Sequence, residues 1–160
     1  MQFTTFQIVK KLSINRNTLH QWLDRGLISP SIQKAAGQGT KNLFNLNDVY
    51  KIGLFQKLHA AGFTQRAASE LSQHIDFANV GEDANNVEWV LVSRHTVTGT
   101  TNTIFLYWHG RPSRPESKFI SYGYEMEVKA AIDRSLVPAD IDISINLFQI
   151  KKYIDAQIGG

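Results

Sequence analysis

Cysteine is absent from the 160 residues, which excludes disulfides, thiolate metal sites and cysteine nucleophiles. No apolar run reaches the roughly eighteen residues that a membrane-spanning helix needs. Met1-Gln2-Phe3-Thr4 lacks the charged-then-apolar pattern of a secretion signal, so a cytoplasmic protein is expected. A nucleophile elbow, a glycine-rich phosphate loop, a paired-carboxylate motif and a metal signature are all missing. Neither an enzyme activity nor a cofactor is therefore expected. Gly37-Gln38-Gly39, the one Gly-x-Gly, does not follow a strand and open a helix, and reads as the tip of a loop. There is no internal repeat and no low-complexity tract.

What the chain has is a charge asymmetry. Residues 1–75 carry nine basic and three acidic side chains, a net +6, while the remainder carries eight and eleven, a net −3. A basic part beside an acidic one implies that the first meets a polyanion.

Helical signals fill that basic part. Thr5 to Lys11 reads as a short helix with Phe6 and Val9 spaced along an apolar side, capped by Thr4 or Thr5. A tight turn, Leu12-Ser13-Ile14-Asn15, leads to a second helix over Arg16 to Arg25, with Asn15 as its cap and Leu19, Trp22 and Leu23 as its apolar face. Gly26 supplies a left-handed stop and Pro30 prevents resumption. Ser31 to Leu43 is polar and basic; Ile32 on one side and Leu43-Phe44 on the other predict a two-stranded hairpin around the glycine tip. Asn45 or Asn47 caps a third helix running to Ala61, with Val49, Ile52, Phe55 and Leu58 three apart. After Gly62, Thr64 caps a fourth helix with Ala67, Ala68 and Leu71 inward.

Helix, tight turn, polar-tipped helix and basic hairpin together point to a winged helix-turn-helix that reads double-stranded DNA. The start of the second helix presents Asn15, Arg16, Asn17, Thr18, His20 and Gln21 for base edges in the major groove. The hairpin offers Lys34, Gln38, Lys41 and Asn42 to phosphates or the minor groove. Trp22 and Leu19 belong to the core, and Arg25 and Arg66 are surface charges.

Residues 3–75 resemble MerR-type regulators. Phe3-Thr4, the run from Ile14-Asn15-Arg16-Asn17-Thr18-Leu19 to Gly26-Leu27-Ile28-Ser29-Pro30, Phe44 with Asn47-Asp48-Val49, and His59-Ala60-Ala61-Gly62-Phe63-Thr64 carry the likeness in order and spacing. The resemblance implies a bacterial, sequence-specific transcriptional regulator that binds DNA as a dimer. The family's arginines on either side of the Thr-Leu pair are replaced here by Asn17 and His20. Gln21 stands where the first of two aromatics is usual, and Lys41 or Asn42 takes the place of the wing arginine. Each change replaces a guanidinium fork or a ring by a weaker contact. An excisionase-like or architectural DNA-binding protein, and a DNA-tethered protein-interaction module, are the alternative readings.

Past residue 75 the period changes. Residues 76–86 read as a linker, and 87–160 as a small α+β domain with an antiparallel sheet. Its strands fall at Val87–Val97, Thr103–His109, Phe119–Tyr124 and Ile141–Ile145, with a helix over Glu125–Ser135 and a last helix striped by Leu147, Ile150, Ile154 and Ile158. No heptad pattern follows His74, so the homodimer contact is expected in this second domain. Trp89, Phe105, Tyr107, Trp108, Phe119, Tyr122 and Tyr124 make either a sheet core or a pocket for a small hydrophobic effector. His95 and His109 lie on adjacent strands as either ordinary strand residues or a metal or acid–base pair.

Overall fold

The computed structural model describes residues 1–37, 39–78, 80, 88–97, 100–109, 116–121 and 141–159. Gln38, most of the expected linker, the 125–135 helix, and Tyr122 and Tyr124 lie outside them. Two compact units emerge: Met1–Asn79 with Gln149–Gly160, and Val80–Phe148.

In the first unit, β1 (Phe3–Thr4) runs directly into α1 (Thr5–Lys11). Thr4 is the cap, and it forms a capping box with Gln7: the Gln7 amide donates to Thr4 Oγ1 and the Thr4 amide donates to Gln7 Oε1. Fixing the cap at Thr4 turns Ile8 and Leu12 inward, one above the other. Phe6 is two residues before Ile8, about 200° away around the helix, and it is 73% exposed. The expected apolar pairing of Phe6 with Val9 as the buried side is therefore corrected.

α2 (Arg16–Asp24), α3 (Leu46–Ala60) and α4 (Gln65–His74) follow, capped by Asn15, Asn45 and Thr64. Three helices end in the same way. After α1, α2 and α3 a left-handed residue follows the C-cap, and the next amide reaches back five residues: Ile14 to Val9, Leu27 to Trp22 and Phe63 to Leu58. Gly26 and Gly62 take that role at φ 67° and 95°, whereas after α1 it falls to Ser13 at φ 53°.

α3 is the central element, burying Val49, Tyr50, Ile52, Leu54, Phe55 and Leu58. Trp22 of α2 meets Phe55 edge to face at 4.6 Å. Ser69 of α4 donates to the Leu27 carbonyl at 2.6 Å, which ties α4 to the end of the α2 turn.

The predicted two-stranded hairpin is corrected. β2 (Leu43–Phe44) pairs antiparallel with β1, Phe3 opposite Phe44, and among the described residues a single bridge, Gln33 with Leu43, closes the intervening loop. The physical reason is burial. Phe3 and Phe44 are both in the core, whereas the expected anchor Ile32 is 41% exposed. β2 pairs with β1 along one edge, which takes two phenylalanines out of water, and through Leu43 meets Gln33 along the other; beyond that bridge the described residues of 34–41 are exposed and offer no large apolar anchor to extend the hairpin.

α5 (Leu147–Gly159) was expected to close the second domain, yet its residues from Gln149 onward pack in the first unit. Ile154 is buried on Gly53 of α3, where a Cβ would overlap the isoleucine side chain. The Tyr50 hydroxyl donates to the Asp155 carboxylate, Lys57 Nζ sits 4.4 Å from the Tyr153 ring centroid, and Lys11 Nζ donates to the Ile158 carbonyl at 2.6 Å.

The second unit holds β3 (Glu88–Val97), β4 (Thr100–His109), β5 (Glu116–Ser121) and β6 (Ile141–Asn146). They form a four-stranded sheet in the order β5-β4-β3-β6, every pair antiparallel. The register separates the two histidines: His95 is opposite Asn102 and His109 is opposite Glu88. Asn102 and His109 are seven residues apart on one strand, about 23 Å at strand rise, so they do not form a pair.

Candidate nucleic-acid interface

The start of α2 is fixed by Asn15, whose side-chain oxygen accepts from the amides of Asn17 and Thr18 at 2.9 and 3.4 Å. Asn15 thus spends its acceptor on the helix and acts there as a positioning group. No acidic residue stands in the first turn of α2, so the positive end of the helix dipole and the Arg16 guanidinium add without cancellation. Burying Leu19 and Trp22 turns the opposite side of the helix outward. Arg16, Asn17 and Gln21 are exposed, and Thr18 and His20 are half-buried.

The loop over 31–42 is held at its base by a carboxylate. Asp48, buried in the first turn of α3, accepts from the Ser31 amide at 3.0 Å, the Ser31 hydroxyl at 2.7 Å and the Asn45 amide at 2.9 Å. Three donors on one carboxylate lock the loop to α3. The loop is braced further on by its own side chains. Asn42 Oδ1 accepts from the Ala35 amide at 2.8 Å, and Thr40 Oγ1 accepts from the Ala36 amide at 2.8 Å and donates to the Gly37 carbonyl at 2.8 Å. Gly37 and Gly39 adopt φ 134° and 88°, which allows the sharp tip. Lys34 and Lys41 are exposed along it.

Between α1, the start of α2 and this loop lies an open cleft of about 500 Å³. Of the sequence-predicted residues it brings together Arg16, His20, Lys41 and Asn42. Asn15, Asn17, Thr18, Gln21 and Lys34 are not on its walls. The two cations therefore come from opposite sides, one from the helix and one from the loop. The arrangement has what a duplex demands: charge for the backbones, hydrogen-bonding groups for base edges, and concavity.

Arg25 and Arg66 make local surface contacts. Arg25 donates to Gln65 at 3.1 Å, and Arg66 pairs with Glu70 at 3.3 Å.

Sequence reasoning missed Phe6 and Val9, which form the apolar part of the cleft wall. The signal was present in Thr4-Thr5-Phe6-Gln7. A Thr followed three residues later by Gln selects Thr4 as the cap, and that choice points Phe6 away from Ile8.

Residues 3–75 match the family model of MerR HTH family regulatory proteins. That is a family of helix-turn-helix regulators, and the matched stretch covers α1 to α4 with both short strands and the loop between them. No curated protein matches the chain. Among the described residues no helix is long and apolar enough to cross a membrane.

Proposed function

We propose that the protein is a sequence-specific regulator of transcription. It binds double-stranded DNA through the exposed start of α2 and the lysine-bearing loop, which acts as a wing. The observation that supports this reading most directly is the convergence of Arg16, His20, Lys41 and Asn42 on one cleft within a stretch matched to helix-turn-helix regulators. In this reading α2 enters the major groove, and Arg16, Asn17 and Gln21 reach base edges while Asn15 holds the helix end. Lys34 and Lys41 neutralise phosphates and release counterions. The bracing holds the backbone that carries the lysines, so less backbone freedom is lost on binding.

A winged helix-turn-helix reads one half-site, and two copies read a two-fold site. The unit over Val80–Phe148 is proposed as the contact between copies or as a sensor of a small hydrophobic effector. The aromatic residues on β3 to β5 are the basis of the sensor reading.

Binding-site selection with the purified full chain, followed by footprinting, tests the proposal. A recovered consensus over promoter elements is expected. Arg16→Ala should weaken binding to that consensus by about 1–3 kcal/mol and relax base choice at one position. Equal weakening on every sequence would reduce Arg16 to a phosphate contact. An absence of binding to any duplex at low salt would end the DNA reading altogether.

A further inference from the structure

α1 has a side chain that its fold does not use. Phe6 is 73% exposed while Ile8 and Leu12 fill the core side of the same helix. Its neighbour Val9 is half-buried, and the two form the apolar wall of the cleft whose other walls carry Arg16, His20, Lys41 and Asn42. The cations flank the phenylalanine from two elements, and among the described residues no acidic side chain lines the cleft. Positive charge around an apolar patch fits a ligand that is a polyanion outside and carries apolar groups inside. Duplex DNA is such a ligand: its only apolar group in the major groove is the C5-methyl of thymine, which aliphatic and aromatic side chains contact directly.

We infer that Phe6 is a specificity-determining residue that reads a thymine methyl beside the bases contacted from the start of α2. The inference rests on the DNA-binding reading and adds a contact from a different helix, of a different chemical kind. Arg16, Asn17 and Gln21 select by hydrogen bonds. Phe6 selects by excluding water from a methyl group, a contact that neither guanine nor cytosine offers.

The test deletes the methyl and the ring separately. The full chain and its Phe6→Ala variant are titrated with the selected duplex and with duplexes in which each thymine in turn is replaced by uracil, which lacks the methyl alone. For the unmodified chain, one thymine-to-uracil change should weaken binding about three- to fivefold, the worth of one buried methyl. Phe6→Ala should bind the thymine duplex weaker by at least that factor and no longer distinguish the two duplexes. Phe6→Leu keeps an apolar contact and should retain part of the discrimination, which separates lost contact from lost folding. Three results overturn the inference while leaving DNA binding intact: no thymine sensitivity in the unmodified chain, equal sensitivity in Phe6→Ala, or a change in self-association on removing the ring. Failure of the unmodified chain to bind any duplex overturns the DNA-binding reading itself.

Discussion

Ser13 holds φ 53° between α1 and α2, where a left-handed residue must follow the C-cap for the Ile14 amide to reach Val9. The equivalent places after α2 and α3 are held by Gly26 and Gly62. A side chain costs about 1–2 kcal/mol in that conformation, and glycine returns about 0.5–1 kcal/mol of the gain through the freedom of its unfolded state. Ser13→Gly is therefore expected to stabilise the protein by about 0.5–1 kcal/mol, read as a higher Tm, and Ser13→Val to lower it. A lower Tm for Ser13→Gly would mean that the hydroxyl holds the turn. Asp48 shows a different residue-scale economy. One buried carboxylate serves α3 as a cap and the loop as an anchor, so its three hydrogen bonds belong both to folding and to the placement of Lys34 and Lys41.

At the scale of elements, α5 is a structural part of the basic unit, although some seventy intervening residues separate its packed stretch from α4. Gly53 admits Ile154, and the flanking Tyr50–Asp155 and Lys57–Tyr153 contacts fix the helix along α3. Ile154→Ala should cost about 2–5 kcal/mol, the range for truncating a buried isoleucine to alanine, measured as a lower urea midpoint in helical circular dichroism. An unchanged midpoint would show that α5 adds nothing to the stability of α1–α4. This element also marks where sequence reasoning stopped. Asn15, Thr64, Gly26 and Gly62 announce helix ends, and the alternatives Thr4 or Thr5 and Asn45 or Asn47 do so to within two residues, because a cap is a local bargain between a side chain and amides two or three residues away. The stripe of Leu147, Ile150, Ile154 and Ile158 announces a buried face but not what covers it, since periodicity carries no partner information. The β1–β2 pairing was hidden for a related reason: strands of two residues have no period, and their register depends on the distant burial of Phe3 against Phe44. Of the predicted contact residues, the structure gathers Arg16, His20, Lys41 and Asn42 at the cleft, while Asn17, Thr18 and Gln21 of the same helix and Lys34 of the same loop fall outside the cleft walls. It also turns Phe6 outward, because the cap, not the i, i+3 spacing, sets the phase of α1.

For the whole molecule, the decisive quantity is how many phosphates it neutralises. The net +6 of residues 1–75 is spread over α1 to α4 and the loop, and on the proposed reading Arg16, Lys34 and Lys41, on α2 and the loop, are the cations that meet a duplex. The slope of log K against log salt counts them, at about −0.9 per phosphate on B-DNA. If Lys41 meets a phosphate as proposed, Lys41→Ala removes one such contact from each copy of the chain. If one copy binds the site, the slope should flatten by about 0.9; if two copies bind a two-fold site together, it should flatten by about 1.8, because each loses the same contact. Fluorescence anisotropy with the selected duplex at several salt concentrations reads both the wing and the copy number from one series. A slope identical to that of the unmodified chain would take the loop off the phosphates and leave α2 to bind alone. The N-terminal unit would then read DNA as a bare helix-turn-helix, and the bracing by Asn42, Thr40 and Asp48 would need a different purpose.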